Sequence, residues 1–387
     1  MIVAGLVPQI TLFTPDYRRV APINFFESLK LSLKWNGLST LELVVSGDHS
    51  RLDGLTRPGA RLVVDYGGGQ IFSGPVRKVH GVGPWRSSRV TITCEDDIRL
   101  LWRMLMWPVN YRPGLVGMEW RADRDYAHYS GAAESVAKQV LGDNAWRFPP
   151  GLFMTDDEKR GRYIKDFQVR FHVFADKLLP VLSWARMTVT VNQFENAKFD
   201  QRGLLFDCVP AVTRKHVLTA ESGSIVSWEY VRDAPKATSV VVGGRGEGKD
   251  RLFCEDVDSA AEDDWFDRVE VFKDARNTDS EKVSLFDEAE QVLQESGATS
   301  GFKIELAESD VLRFGPGNLM PGDLIYVDVG SGPIAEIVRQ IDVECVSPGD
   351  GWTKVTPVAG DYEDNPSALL ARRVAGLAAG VRDLQKF

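Results

Sequence analysis

The most suggestive chemical motif in the sequence is a glycine-rich run, Gly243-Gly244-Arg245-Gly246-Glu247-Gly248, which follows the β-branched segment 238–242. A loop that cradles phosphates needs the spacing GxGxxG before a helix, or a GK pair followed by Ser or Thr. Here the last three glycines alternate with other residues, and Gly248-Lys249 is followed by Asp250. The run therefore predicts a flexible loop between strands and not a nucleotide site.

Histidines and cysteines are the usual zinc ligands, and their spacing here predicts no metal site. The histidines form neither HExxH nor HxH, although Asp48-His49 lies in a turn-like run that could hold a catalytic group. The cysteines are far apart, without a CxxC pair. We predict no metal, no cofactor and no catalytic triad, and we expect buried thiols in a reducing compartment. The cysteines are Cys94, Cys208, Cys254 and Cys345.

Paired carboxylates and aromatic side chains leave other functions open. Asp96-Asp97, Asp156-Asp157 and Asp263-Asp264 could supply the two carboxyl groups that a glycosidase holds about 5–10 Å apart, but the sequence does not bring them together. Aromatic residues are concentrated between positions 102 and 184, where Trp120 and Trp146 could stack on sugars. Trp, Tyr and Arg also dominate protein interfaces, and we favour that interpretation. The alternatives are a cell-wall glycan or peptide hydrolase and a carbohydrate-binding protein.

Composition narrows the class of protein. A chain of 387 residues can bury a large core and should form about two to four domains. The net charge of −9 argues against a nucleic-acid-binding surface, sequence-specific or general. No stretch approaches the roughly 20 apolar residues of a membrane span. Segment 1–7 lacks a basic region and predicts a strand, not a signal peptide.

The periodicity predicts an α+β chain that is mainly β. Alternating segments in 1–105 predict a first small β-barrel, and 106–235 reads as a mixed α/β domain with helices near 132–142 and 173–185. Pro180 should break or kink the second helix. A second barrel is assigned to 236–250 and 301–360. It is interrupted by an acidic, helix-containing insert at 251–300 and followed by a linker and helix at 361–387.

The two predicted barrels carry a similar pattern. Each has a strand, then a Pro-Gly turn that launches a second strand, then a third strand, and then a tryptophan before a last strand. Such a repeat predicts two related β-modules within one chain. The matched positions are Pro58, Gly59, Leu62 and Trp85 in the first module and Pro321, Gly322, Leu324 and Trp352 in the second.

The C-terminal segment has the pattern of a coiled-coil seam, with apolar residues at alternating steps of 4 and 3. A lone helix of this length is marginal in water, so it should pack on its own chain or associate around a symmetry axis. We favour the symmetric arrangement and predict a trimer interface here. The seam residues are Leu370, Val374, Leu377, Val381 and Leu384.

These features together resemble a known family. The runs 42–48, 58–62 and 71–76, and the segment 240–251 with its glycines, resemble the hub (minor tail) proteins of siphophages that infect actinobacteria, which are related to baseplate hubs. The resemblance spans nearly the whole chain, and its motifs are structural. It implies two small barrels per subunit, mixed α/β insertions and no enzymatic activity, with the hydrolase and a carbohydrate-binding tail protein as the alternatives.

The resemblance also implies an assembly. Three subunits with two barrels each would form a pseudo-sixfold ring that joins the tail tube to the tip and closes or gates the DNA channel. The implied partners are further copies of the chain, the ring of distal tail protein, the tape measure protein, and downstream tip or fibre proteins. The implied location is the distal tail tip of the virion, after assembly in the host cytoplasm.

Overall fold

A computed structural model describes residues 7–84, 88–108, 124–147, 151–196, 198, 201–219, 221, 225–276, 285–306, 313–328, 332–346 and 352–360. The described residues are mainly in strands, which confirms the predicted β-rich class. The helices are α1 (Leu52–Thr56), α2 (Ala133–Asn144), α3 (Phe174–Trp184), α4 (Ser259–Trp265) and α5 (Leu285–Ser296).

The strands are β1 (Gln9–Phe13), β2 (Arg19–Ile23), β3 (Ser28–Lys34), β4 (Thr40–Ser46), β5 (Arg61–Tyr66), β6 (Gly69–Val82), β7 (Arg89–Glu95), β8 (Leu105–Met106), β9 (Ala127–Ala132), β10 (Leu152–Met154), β11 (Tyr163–Val169), β12 (His172–Val173), β13 (Met187–Asn196), β14 (Gln201–Pro210), β15 (Thr213–Thr219), β16 (Ile225–Asp233), β17 (Ser239–Gly243), β18 (Phe253–Val257), β19 (Glu270–Asp274), β20 (Thr299–Leu306), β21 (Leu324–Asp328), β22 (Pro333–Val346) and β23 (Trp352–Gly360).

The chain divides into two compact units, Met1–Ser227 with Ile304–Val358, and Trp228–Lys303 with Ala359–Phe387. In the first unit a long sheet has the strand order β23-β22-β3-β4-β7-β6-β5-β1-β2, and β21 pairs with both β22 and β15. The alternation of β4 turns Leu41, Leu43 and Val45 to the core, where each is fully buried. Period-two burial of this kind is the pattern that the sequence predicts.

The first unit also contains the predicted mixed α/β region. Strand β14 lies between β10 and β13, and α2 and α3 contribute to the adjoining core. Val136, Val140 and Leu141 face that core from α2, which confirms the predicted helical spacing. Helix α3 continues through Pro180, so the predicted interruption is not a break, and the proline is exposed, where water can bond the carbonyl that its missing N–H leaves free.

The second unit contains a three-stranded sheet, β18-β17-β19, with α5 packed on one face. Val240 and Val242 of β17 meet Ala289 of α5 in its core. The sequence pattern predicts that 236–250 belongs to the second barrel, whereas β17 pairs with β18 and β19. A β-branched run indicates a buried strand without indicating its neighbours, which accounts for the difference. The segment predicted as an acidic insert supplies α4 and α5.

Candidate functional site

Two hairpins of the first unit have the same construction. Strands β5 and β6 form one antiparallel hairpin, and β21 and β22 form the other. The first strand begins two residues after a Pro-Gly pair in both cases, and both long strands have 14 residues. In the sheet, β7 lies beside β6 and β23 lies beside β22. We call these hairpins with their neighbouring strands the first and second modules.

Backbone hydrogen bonds give a residue-by-residue match of the hairpins. In the first module the amide of Val76 donates to the carbonyl of Ala60 at 2.8 Å, and in the second the amide of Val338 donates to the carbonyl of Asp323 at 2.9 Å. Ala60 and Asp323 each follow the glycine of the turn. Positions 60 and 76 therefore correspond to positions 323 and 338.

This match shifts one of the sequence-predicted positions. Arg61 and Leu324 are the first residues of their strands, so Ile325 holds the place of Leu62. Leu62 and Ile325 are both buried, whereas Leu324 is partly exposed. A step of one residue along a strand turns the side chain to the opposite face, so the pairing of Leu62 with Leu324 changes to Leu62 with Ile325.

The remaining predicted positions are described only in part. Trp352 is the first residue of β23, and Trp85 lies outside the described residues. The predicted seam of the C-terminal helix also lies outside them, and its role stays a prediction. Its residues are Leu370, Val374, Leu377, Val381 and Leu384.

The glycine of the second turn gives a testable consequence. Gly322 has a φ of +98°, and a Cβ there would lie 2.7 Å from Cδ1 of Trp35. We expect Gly322→Ala to lower the free energy of unfolding by about 3 kcal/mol, from backbone strain plus the clash. Gly317, at φ +81° with no atom within 4 Å of a built Cβ, is the matched control, with an expected loss of about 1 kcal/mol. Urea unfolding measures both, and equal losses would contradict the predicted close packing.

A buried ionic network connects the first module to β13. Asp97 accepts hydrogen bonds from Arg61 at 2.5 Å and from Ser73 at 2.7 Å. Arg61 also donates to Gln193 at 2.9 Å, and its guanidinium lies 4.6 Å from the ring centroid of Tyr17. Burial raises the pKa of Asp97, and the charge of Arg61 opposes that shift. These buried hydrogen bonds hold β5 and β6 against β13.

The second turn is held by a different ion pair. Arg214 of β15 donates to Asp323 at 2.7 Å, and the same carboxylate oxygen accepts from the amide of Met320 at 3.1 Å. Asp323 is buried, so this contact fixes the start of β21 against β15. The two modules thus share backbone geometry while differing in the polar groups that anchor them.

The second module is linked to the first through β3 and β4, which lie between β22 and β7 in the sheet. Strand β22 pairs with β3 over seven positions, from Gln340 opposite Lys34 to Val346 opposite Ser28. Lys30 and Glu344 lie across this joint with a nitrogen–oxygen distance of 3.9 Å. Periodicity carries no signal for a pairing between strands about 300 residues apart, so the sequence does not predict this joint.

A cavity of about 420 Å³ lies inside the first unit, lined mainly by apolar side chains of β6, β13 and the second turn. Asp96 and Asp323 both line it. Asp96 accepts from the amide of Ser39 at 3.1 Å, and Asp323 is engaged by Arg214. Both carboxyl groups therefore have structural partners, which disfavours the glycosidase alternative.

The remaining candidate groups form no reactive cluster in the part of the chain that the structure describes. The guanidinium of Arg251 donates to the carbonyls of Gly243 at 2.8 Å and Gly244 at 3.0 Å, so that side chain closes the glycine loop. All the cysteines are buried free thiols. Among the described residues, no group of His, Cys, Asp and Glu could hold a metal ion, and no helix is long and apolar enough to cross a membrane.

Comparison with known families is decisive for the overall class. Residues 9–361 match the family described as siphovirus ReqiPepy6 Gp37-like protein. The chain belongs to this family. The resemblance to a siphophage protein is thus confirmed. A search of curated proteins finds no match to the chain.

Solved structures show the same fold in phage tail proteins. The 43 kDa tail protein of prophage MuSo2 from Shewanella oneidensis superposes with a TM-score of 0.57 at 10% sequence identity. The superposition covers 91% of the present chain and 98% of the MuSo2 protein. The prophage tail protein gp18 from Listeria monocytogenes EGD-e has a TM-score of 0.56 at 10% identity, with 96% and 99% covered. A tail protein from Neisseria meningitidis MC58 gives 0.55 at 11%, with 92% and 97% covered. The chain thus has a phage tail-protein fold along nearly its full length.

Proposed function

We propose that this protein is a structural hub at the distal tip of a siphovirus tail, where three copies form a pseudo-sixfold ring. The ring joins the tail tube to the tip and closes or gates the DNA channel. The observation that carries this proposal is the pair of matched modules within one chain. Family membership and the tail-protein fold support it.

The two modules explain how threefold and sixfold symmetry can meet. A tube with six equivalent subunits presents six similar contacts, and a trimer with one module per chain could match only half of them. A chain with two modules of the same backbone construction offers two similar contacts, so that three chains offer six. The β22–β3 joint supports this arrangement because it already places two modules side by side within one chain.

The proposed partners follow from this position. They are two further copies of the chain, the distal tail protein ring, the tape measure protein, and downstream tip or fibre proteins. We place the ring in the virion tail after assembly in the host cytoplasm. The two barrels are the proposed form of the modules in the assembled ring, and the C-terminal helices are proposed to meet near its axis.

A test of this function is the symmetry of the purified protein. We expect a stable trimer whose interfaces bury roughly 2,000 Å² or more, because a closed ring needs extensive contacts. Mass photometry at nanomolar concentration, followed by electron microscopy, measures stoichiometry and symmetry. A monomer at micromolar concentration, both alone and with the tail tube, would contradict the proposal. Clearing of actinobacterial cell walls in a turbidity assay would instead support the hydrolase.

A further inference from the structure

The second half of β6 has one unpaired edge in the described structure. Residues 76–82 pair with β7 on one side. Strand β5 pairs with residues 69–75 and the amide of Val76 donates to Ala60, so the open edge is that of residues 77–82. The side chains from position 77 to 82 are exposed, and β7 pairs on its other side with β4, so this half of β6 is the free edge of a larger sheet. Long unpaired edges of this kind are sites for strand addition.

The corresponding half of β22 is paired on both edges. Residues 340–346 of β22 pair with β3, and β23 is the other neighbour of β22 in the sheet. The first module therefore lacks one neighbour that the second module has. The missing strand is the equivalent of β3.

The equivalent of β3 in the second module is β16. Strand β16 lies beside β20 at one end of the sheet order, as β3 lies beside β4, and β4 and β20 are the strands that begin the two repeated patterns. Strand β16 of one copy is therefore the equivalent partner for the open edge of β6 in another copy.

Exposed apolar side chains lie on both strands. Counting from Val76 and Val338, Val79 holds the place of Ile341, which is fully buried opposite Leu33 in the β22–β3 joint. Val79 is 39% exposed, and Trp228 on β16 is 46% exposed. Pairing of the two strands would cover apolar surface that the isolated chain leaves in water.

The charges of the two strands are complementary. Exposed Arg77, Lys78 and His80 lie on β6, whereas β16 exposes Glu229 and Asp233 beside one basic residue, Arg232, which pairs with Asp264 at 4.0 Å. The β22–β3 joint also pairs opposite charges, but there β22, the counterpart of β6, is the acidic strand and β3 is the basic one. Opposite charges on neighbouring strands favour correct pairing and disfavour pairing of like edges.

We propose that residues 77–82 of β6 pair with β16 of a second copy of this chain, reproducing between copies the β22–β3 joint found within each copy. This inference rests on the proposed ring and identifies the strands that close it. Repeated three times in a head-to-tail manner, the contact returns to its starting chain.

Zero-length carbodiimide cross-linking of a mixture of unlabelled and ¹⁵N-labelled protein tests the contact. We expect a link from Lys78 to Glu229 or Asp233 that joins light and heavy chains. The Lys30–Glu344 pair, at 3.9 Å within one chain, is the positive control. A trimer that gives the control link without any link between β6 and β16 would overturn this contact and leave the proposed ring standing. Absence of a trimer would overturn both.

A substitution provides an independent readout. Val79→Asp should weaken trimer formation by about tenfold or more, because it places a charge in the proposed contact. Val20→Asp, at a valine that is 48% exposed on β2, should leave the trimer unchanged. Circular dichroism of both variants checks that the monomer folds. Trimer formation by Val79→Asp at the wild-type concentration would refute the contact.

Discussion

Glu134→Gln should lower the free energy of unfolding by about 3–5 kcal/mol at neutral pH. Glu134 is fully buried at the start of α2. Its carboxylate accepts from Lys138 at 2.6 Å and from the Arg160 guanidinium at 2.7 and 2.8 Å. The neutral amide keeps the size of the side chain and removes the negative charge, leaving a buried ammonium and a guanidinium without their main partner. Urea unfolding at pH 7 measures the loss.

The control for this variant is Glu158→Gln. Glu158 also pairs with Arg160, at 3.4 Å, but its side chain is 66% exposed. An exposed pair contributes between about 0 and 1 kcal/mol, so this variant should resemble the wild type. Asp207 lies 3.5 Å from Lys138 and still compensates part of the positive charge in Glu134→Gln. We therefore expect a loss of unfolding free energy near the lower end of the range. A loss of unfolding free energy below about 1 kcal/mol in Glu134→Gln would show that the pairing of Glu134 with Lys138 and Arg160 does not stabilise the fold.

The pH dependence gives a second check on Glu134. Burial raises the pKa of this carboxyl, but the hydrogen bonds from Arg160 and Lys138 outweigh it and lower the pKa to about 2. A lowered folded-state pKa means that the stabilisation is complete above the unfolded value of 4.5 and is lost as pH falls toward 2. The difference in unfolding free energy between wild type and Glu134→Gln should therefore narrow as the pH falls from about 4.5 to 2. Thermal unfolding from pH 6 to pH 2 measures this change.

Local patterns predicted local structure well in this chain. The Pro-Gly turns and the spacing of α2 are decided by a few neighbouring residues, and the structure has a hairpin or helix at each. Helix α2 runs to Asn144, beyond the predicted end at Gly142, because the interior of a helix tolerates glycine at a cost of about 1 kcal/mol.

Long-range partners were not predictable from these patterns. The alternation of β3 indicates which face is buried but not that β22 lies beside it. The spacing of Glu134 and Lys138 is typical of a solvent-exposed ion pair on a helix, and only the tertiary fold buries it. The network of Arg61, Asp97 and Gln193 likewise joins residues that are distant in sequence.

Asp96→Asn should make the protein more stable above pH 7, by up to about 4 kcal/mol. Burial raises the pKa of Asp96 to about 7, against the hydrogen bond from Ser39 and with the nearby charge of Asp97 adding to the rise. The folded state therefore holds a proton between pH 4 and 7 that the unfolded state has released. Stability falls as pH rises through this window, because the folded chain binds more protons than the unfolded one.

The amide of an asparagine removes this dependence while keeping an acceptor for the Ser39 amide, which now lies 3.1 Å from Asp96. Thermal unfolding from pH 4 to pH 9 should give a flatter curve for Asp96→Asn, with the two proteins close at pH 4 and furthest apart above pH 7. Glu42→Gln, at an exposed position on β4, is the control and should follow the wild-type curve. Parallel curves for Asp96→Asn and wild type would show that Asp96 is ionised in the folded chain throughout this range, and that the interior of the first module accommodates its charge.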